Sequence, residues 1–523
     1  MGYEVSDALT DASGLAMTAA SQHTLLTISS LIFSVILFIL IYKLLVKKSL
    51  VIPFNKFYLP KLLVILLFTL FFMRGMAQNI PLTPWQSSQI RDSKLATLAL
   101  NGTYNAIFSL TNRDKKLKLL KIPTIDKDVM QSEMQKLYQN SYTPYNRPLH
   151  KPNVVIFFLE SWSGVNIKNY GFNKSSISTT PFFDSILAQS IRPKAMIAGG
   201  HRTTEGIFAT LCSFQNPLGK TVAKTQLQDF KYESLINIFN QAGYRSAFFQ
   251  GSAKETSGTG AFAQSIGFQE SYGKKDVIKR AYEQNNWGVH DSDLYNFTID
   301  TIQTSNKPFI IGINGATTHD DKIPQGVEKI NFVADKSLNN QLNALHFSDM
   351  ALQKFVEIMK KKYPNTLFVF VADHCGGVKG SNFENYLIPF ALYHKDLKPF
   401  YSNNYLSQRD IAPTILDAVF GDYKKITTKF SGRSLLSEND FFADYYHNGF
   451  LGWIEKDNLL EINTATNKHK CYDISTFTDR EIGCTNDIIN FKNRALSFTN
   501  ASQKLLFDGK TKNFRQYKGK QSE

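Results

Sequence analysis

Three stretches of the chain end in side chains suited to chemistry. The apolar run Val154–Leu159 closes on Glu160, and Leu367–Ala372 closes on Asp373 and His374. A carboxylate at the end of a buried strand is costly unless it is paired or ligates a cation. Oxygen donors with one imidazole suit Mn²⁺, Mg²⁺ or Zn²⁺. The third stretch, GGHRTTEG at Gly199–Gly206, leads into the apolar pattern EGIFATL. Thr203 or Thr204 is a candidate nucleophile there, and a helix N-terminus beside Arg202 suits a phosphate. A further polar cluster, Thr317-Thr318-His319, follows the run FIIGIN. Each has a plainer use alone: Glu160 as a helix cap, a threonine as the N-cap of a capping box, His319 as a structural histidine. Together they form a Glu, Thr, Asp, His set fit for metal-assisted phosphoryl transfer to a hydroxyl nucleophile.

Something must bring these positions together. From residue 153 to about 420, apolar runs alternate with helical patterns, which predicts an α/β domain with a mainly parallel sheet. The strands are expected at Val154–Leu159, Ser246–Gln250, Phe309–Ile313 and Leu367–Ala372. The helices are expected at Thr180–Gln189, Tyr232–Ala242 and Asn340–Lys361. Ligands of such sheets bind at the carboxyl ends of the strands, where the polar residues above fall. Residues 437–523 alternate apolar and polar side chains and predict a small, mostly antiparallel unit. Its tail, Asp508–Glu523, reads as a solvated basic end.

The amino-terminal part is of another kind. His23–Val46 holds about 20 mostly apolar residues, enough to cross a bilayer. Leu62–Met73, extended by Gly75–Leu82, is expected to be a second span. Lys47, Lys48, Lys56 and Lys61 lie between them and place that loop in the cytoplasm. Everything after residue 82 then lies outside, as does the N-terminus. An external N-terminus without a signal peptide implies further spans upstream of this sequence. Residues 91–152 read as a connector, with helical spacing over Asp126–Asn140 and a proline-rich linker, TPYNRPLHKPN.

Composition narrows the classes. With 43% hydrophobic and 20% charged residues, the chain is neither disordered nor fibrous. The surplus of 59 basic over 44 acidic side chains suits an anionic membrane surface. It is spread along the chain with no nucleic-acid-binding module, so no nucleic-acid partner is expected. Four cysteines are too few for a disulfide scaffold. Cys471 and Cys484 are close in sequence, and an extracytoplasmic location permits their pairing. Cys212 reads as a buried apolar residue.

The chain resembles the lipoteichoic acid synthase and phosphoglycerol transferase branch of the alkaline phosphatase and sulfatase superfamily. The resemblance rests on NVVIFFLESWSG, TTPFFDSI, GGHRTTEG, NNWGVHD, TTHDDKIP, HFSDMALQKF, FVADHCG, SQRDIAPTILD and FSGRSLL, in the family's order. It implies an alkaline phosphatase/sulfatase-like α/β fold with a mixed, mainly parallel sheet flanked by helices. N-terminal transmembrane helices (1–90), a connector (91–152), a catalytic domain (153–436) and a small C-terminal β-rich unit (437–523) complete the expected organisation. It also implies a metal site of Glu160, Thr203, Asp373 and His374, with Thr203 as nucleophile, since it follows the basic Arg202. Arg202, Trp287 and His319 would contact substrate, although the proline after His319 lies farther off than in the family pattern. The implied activity moves a phosphoglycerol head group from a phospholipid donor to a glycan or polyglycerolphosphate acceptor, with one divalent ion, Mn²⁺ first. The implied place is the cytoplasmic membrane, with the catalytic domain on the extracytoplasmic or periplasmic side. A phosphoethanolamine transferase is the nearest rival. A sulfatase would need a cysteine or serine in a C/S-x-P-x-R context, which Cys212 in CSFQNP lacks.

Overall fold

The computed structural model describes residues 117–516 apart from 140–141, 169–176, 304–306, 377–379 and 439, with positions 36, 39, 43, 60 and 63–68 near the N-terminus. Residues 1–86 and 87–523 form two compact units. In the first, the described positions are helical, and Leu63, Val64, Ile65, Leu66, Leu67 and Phe68 are all exposed. The first expected membrane span lies outside the described residues except for positions 36, 39 and 43, and the second except for 63–68. Among those described, no helix is long and apolar enough to cross a membrane.

Among the described residues, the second unit runs from helix α1 (Lys127–Tyr138) to strand β1 (Asn153–Leu159), α2 (Pro181–Leu187), β2 (Ile191–Ile197) and α3 (Thr203–Cys212). There follow α4 (Leu235–Gln241), β3 (Arg245–Gln250), α5 (Thr259–Ser265), β4 (Glu270–Tyr272), α6 (Asp291–Ile302) and β5 (Phe309–Asn314). Next come α7 (Lys336–Lys362), β6 (Thr366–Ala372), β7 (Leu387–Ile388), β8 (Phe390–Tyr393), β9 (Phe400–Ser407) and α8 (Ile411–Phe420). The chain ends with β10 (Ala443–His447), β11 (Phe450–Glu455), β12 (Asn458–Asn463), β13 (His469–Asp473), β14 (Arg480–Ile482) and α9 (Asn486–Phe507).

Nine of these strands make one mixed sheet. Its heart, β4-β3-β5-β1-β6, is wholly parallel. Beyond it β8 runs antiparallel to β6, β7 and β8 pair antiparallel with β2, and β9 pairs parallel with β2. Strands buried on both faces read as continuous apolar runs, as β1, β5 and β6 do. Phe157 of β1 points to one face, packing against Tyr295 of α6 and Phe355 of α7, while its neighbour Phe158 points to the other, beside Phe248.

Local chemistry sets the helix starts. Pro181 opens α2 at a position where a missing amide costs nothing. Ser234 accepts the amide of Asn237, so α4 starts three residues later than the apolar pattern suggests. Asp335 accepts from Leu338, starting α7 ahead of its apolar stripe.

The carboxyl-terminal part is an antiparallel sheet, β10-β11-β12-β13-β14, with a disulfide between Cys471 and Cys484 joining β13 to the segment after β14. Two features depart from the sequence expectation. The 22-residue helix α9 packs on β11 and β12 and against α1. Its buried side mixes apolar Ile488, Phe491, Ala495, Phe498, Ala501 and Leu505 with Ser497, Thr499, Ser502 and Gln503, a helical spacing in place of the expected strand alternation. The tail is also not a solvated end as far as residue 516. Phe514 is buried, and the Arg515 guanidinium donates to the carbonyls of Phe430 and Gly432 and to the Tyr423 hydroxyl.

Candidate metal and nucleophile site

Strand register brings the acidic side chains together. Leu159 of β1 lies opposite Ala372 of β6, so Glu160 and Asp373 leave adjacent parallel strands at the same edge. Phe158 lies opposite Asn314, which places the end of β5 beside them. One ligand atom from each of Glu160, Asp373 and His374 falls within 4.8 Å of the others. His374 Nε2 is 3.5 Å from Glu160 Oε1 and 3.6 Å from Asp373 Oδ2.

The two carboxylates are held from behind. Ser161 turns into the left-handed region, φ 57°, a conformation uncommon for a residue with a side chain. The turn aims its amide at Asp373 Oδ1 (2.9 Å) and its hydroxyl at Glu160 Oε1 (2.8 Å). Asn314 Nδ2 donates to Glu160 Oε2 at 3.1 Å and to the Phe158 carbonyl. The Thr318 hydroxyl donates to the Glu160 carbonyl.

Helix α3 delivers the threonine. Thr203 occupies its first turn, with Arg202 as N-cap, so the threonine is not the cap. Thr203 Oγ1 lies 3.5 Å from Glu160 Oε2. Thr204 turns inward, with its hydroxyl 2.8 Å from that of Thr221. Gly206 sets how closely α3 approaches, because a Cβ there would meet the Asp373 carbonyl oxygen at 1.9 Å. Gln408, fully buried, ties the same parts together: it accepts from the Gly199 amide and donates to the carbonyls of Ala372 and Asp373. Arg202 pairs with Glu205 at 3.0 Å on the helix end.

Trp287 and His319 lie at the side. Their rings stack with centroids 4.0 Å apart, and His319 Nε2 is 4.0 Å from Glu160 Oε1. Asn285 fixes the pair by accepting the Trp287 amide and donating to the Ala316 carbonyl. Buried Asp291 accepts the amides of Ala316 and Thr317 and so holds the loop that carries His319.

Electrostatics favour a cation here. Burial would raise the Glu160 carboxyl, but the hydrogen bond with His374 and the charges of His319 and His374 hold it well below the usual range. Burial, then the Glu160 charge, pushes Asp373 up to about 8. Burial opposes charge on His374, yet Asp373 and Glu160 outweigh it and raise the imidazole to about 10. Asp373 Oδ2 is buried and accepts no hydrogen bond. An orphaned carboxylate oxygen beside a second carboxylate and an imidazole fits a divalent metal. Neither free cysteine belongs to this cluster: Cys375 Sγ faces Ser163, and Cys212 is buried on α3.

Asn314, Ser161 and Gln408 were not singled out from the sequence. Asn314 carried a readable signal, a polar side chain ending a buried run, as Glu160 does. Ser161 and Gln408 act through backbone groups distant in sequence and left none.

A mainly parallel sheet with flanking helices, an antiparallel C-terminal sheet and an acidic metal-type cluster at its strand ends define the alkaline phosphatase class of fold. Residues 152–421, more than half of the chain, match the sulfatase family, and the chain belongs to it. A solved protein of the alkaline phosphatase superfamily from Vibrio parahaemolyticus is similar, at 22% identity over 74% of this chain and 98% of that one, with TM-score 0.64. The lipoteichoic acid synthase LtaP from Listeria monocytogenes is similar at 17% identity over 72% and 97%, with TM-score 0.59. Members of this superfamily are enzymes that use divalent metal ions.

Proposed function

We propose that this protein is a membrane-anchored phosphoglycerol transferase, similar in chemistry to lipoteichoic acid synthases. The observation that carries the reading is the Thr203 hydroxyl at the start of α3, 3.5 Å from Glu160 Oε2. The segment Thr203-Thr204-Glu205-Gly206-Ile207 has neither the cysteine or serine nor the proline and arginine spacing a sulfatase would need.

In the first step the Thr203 oxygen attacks the phosphorus of phosphatidylglycerol. The bond to the diacylglycerol oxygen breaks, that oxygen takes a proton, and a phosphothreonine diester remains. An acceptor hydroxyl, of a glycan or a growing polyglycerolphosphate chain, then attacks the same phosphorus, loses its proton and frees Thr203. His319, at the edge of the cluster, donates to the phosphoryl group or the leaving oxygen. Trp287, stacked on it, walls the head-group side. Arg202 adds positive charge at the helix end. A divalent ion, Mn²⁺ first and Mg²⁺ or Zn²⁺ otherwise, held by Glu160, Asp373 and His374 with Thr203 alongside, would ease loss of the threonine proton and offset charge on the phosphoryl oxygens.

Two features support an extracytoplasmic site beside a membrane. Six successive apolar residues, Leu63–Phe68, are exposed. The Cys471–Cys484 disulfide suits an oxidising compartment. One observation favours the rival head group. Asp320 follows His319 and accepts the Asn286 amide at 3.3 Å, next to Trp287. A carboxylate there would attract the ammonium of phosphoethanolamine. Assays of the full chain with chromogenic sulfate and phosphodiester esters test the class. Turnover of the phosphodiester alone is expected; turnover of the sulfate ester alone would overturn the transferase reading.

A further inference from the structure

Trp287 and His319 lie beside Glu160, the carboxylate that Thr203 also faces. A second polar group joins the start of α3 to the C-terminal sheet. His201 lies two residues before Thr203, and its amide is clamped at 2.6 Å by Glu205 Oε2, the carboxylate that also caps α3. Its ring leans on Tyr386, centroids 4.3 Å apart, and its Nε2 is 2.9 Å from His447 Nδ1. His447 ends β10. Asn448 and Gly449 follow with φ 45° and 93°, the two-residue turn of a tight hairpin. Asn448 Nδ2 in turn lies 3.1 Å from His447 Nε2.

The hydrogen bonds set a direction. The Asn448 amide nitrogen can only donate, so His447 Nε2 accepts and its proton sits on Nδ1. That proton is given to His201 Nε2. His201 must then carry its own proton on Nδ1, which has no hydrogen-bond partner among the described residues. The chain therefore ends in one oriented N–H donor on an exposed ring at the threshold of the nucleophile helix. Tyr386 supports it from below: its own ring stacks on Tyr445, and its hydroxyl donates to the Tyr446 carbonyl. An aromatic floor with imidazole and amide groups suits the hydroxyl groups of a polyol, and Arg202, next to His201 in the chain, offers a charge to any phosphate attached to it.

We propose that His201, oriented by His447 and Asn448, forms an acceptor subsite that binds a hydroxyl-rich group, either a glycan or a glycerol phosphate unit, beside Thr203. The subsite takes the word acceptor from the transferase reading, but binding to it can be measured without turnover. Trp287 and His319 would hold what is transferred, and this subsite would hold what receives it. His447 and Asn448 are positioning residues, and the C-terminal sheet enters the site through them.

The test has two arms. The full chain, loaded with Mg²⁺ and labelled with ¹⁵N-histidine, is titrated with sn-glycerol 1-phosphate and separately with a short gluco-oligosaccharide. Ten histidines keep the spectrum readable. The imidazole signals of His201 and His447, assigned with His201→Gln and His447→Gln, are expected to shift in at least one arm, and which arm shifts names the source. If neither ligand moves either signal, the subsite is refuted. The second readout is the ratio of transfer to hydrolysis after donor cleavage. His447→Gln and Asn448→Gly, the latter keeping the turn, are expected to lower that ratio about tenfold, the size of one lost hydrogen bond. An unchanged ratio in both variants overturns the proposal. A chain that never forms phosphothreonine refutes the transferase reading, and the histidine signals still decide the subsite.

Discussion

At the scale of single residues the account rests on Thr203 and on what holds Glu160. Thr203→Ala removes the proposed nucleophile and should lower phosphodiester turnover by about 10³-fold or more, while metal binding by calorimetry persists. Retained turnover would move the nucleophile elsewhere. Asn314 is a subtler case. It touches Glu160 Oε2 and the strand behind it, so it orients a ligand without being one. Loss of such a partner typically costs about 10–100-fold in metal affinity. Asn314→Ala should show that loss for Mn²⁺ in a calorimetric titration, with the melting temperature of the metal-free protein little changed. A large drop in metal-free stability with unaltered affinity would assign Asn314 to the sheet alone.

At the scale of elements, the site depends on how closely α3 and β6 approach. Gly206→Ala would press a methyl group onto the Asp373 carbonyl. Overpacking of this kind costs about 1–3 kcal/mol. The melt should fall accordingly, with metal affinity falling too because Asp373 is displaced; a neutral substitution would mean the helix is free to shift. Another element contact has a pH signature. Asp349 on α7 accepts the amides of Phe182 and Phe183 at the start of α2. Burial raises its carboxyl to about 7, the amide bonds offsetting only part of the rise. An unfolded aspartate titrates near about 3.9, so the folded chain holds this proton more tightly. The stabilisation is complete below about pH 4 and fades as pH rises toward 7. Asp349→Asn should lack that slope and gain on the wild type in thermal melts across this window. The opposite trend would show that the carboxylate is ionised in the fold. The parallel strands and the helices around them were legible because runs such as VVIFFL and LFVFVA are long, apolar and closed by polar residues. Their adjacency was not, since register between β1, β5 and β6 pairs residues more than 150 positions apart. Helix α9 was legible in the spacing of Ile488, Phe491, Ala495, Phe498 and Leu505 but was read as part of an antiparallel unit because polar Ser497, Thr499 and Ser502 are interleaved with them, and Ser161 escaped because nothing in its type announces a left-handed turn.

At the scale of the whole molecule, the C-terminal part works as a brace. Buried Arg409 pairs with Asp444 of β10 at 2.5 Å, and Asp444 also accepts from Gln215 just after α3. Gln503 of α9 reaches Gln215 and the Asn216 carbonyl. Helix α3 is thus tied to the C-terminal sheet and to α9. The segment after α9 continues the brace through Phe514 and Arg515. Hydrogen bonds to a charged group contribute about 1.5–3 kcal/mol each, so Arg515→Ala should cost at least about 2 kcal/mol in chemical denaturation. Removal without effect would return the tail to the solvated role its composition suggests. The central claim is that Thr203 carries a phosphodiester between two substrates. The most direct test is to incubate the detergent-solubilised full chain and Mn²⁺ with phosphatidylglycerol or with phosphatidylethanolamine, quench, and map adducts by peptide mass spectrometry. The account predicts a phosphoglycerol adduct on Thr203 that disappears when an acceptor is added. A phosphoethanolamine adduct would keep the mechanism and change the donor. No adduct on Thr203 from either lipid, with metal shown to be bound, would contradict the account.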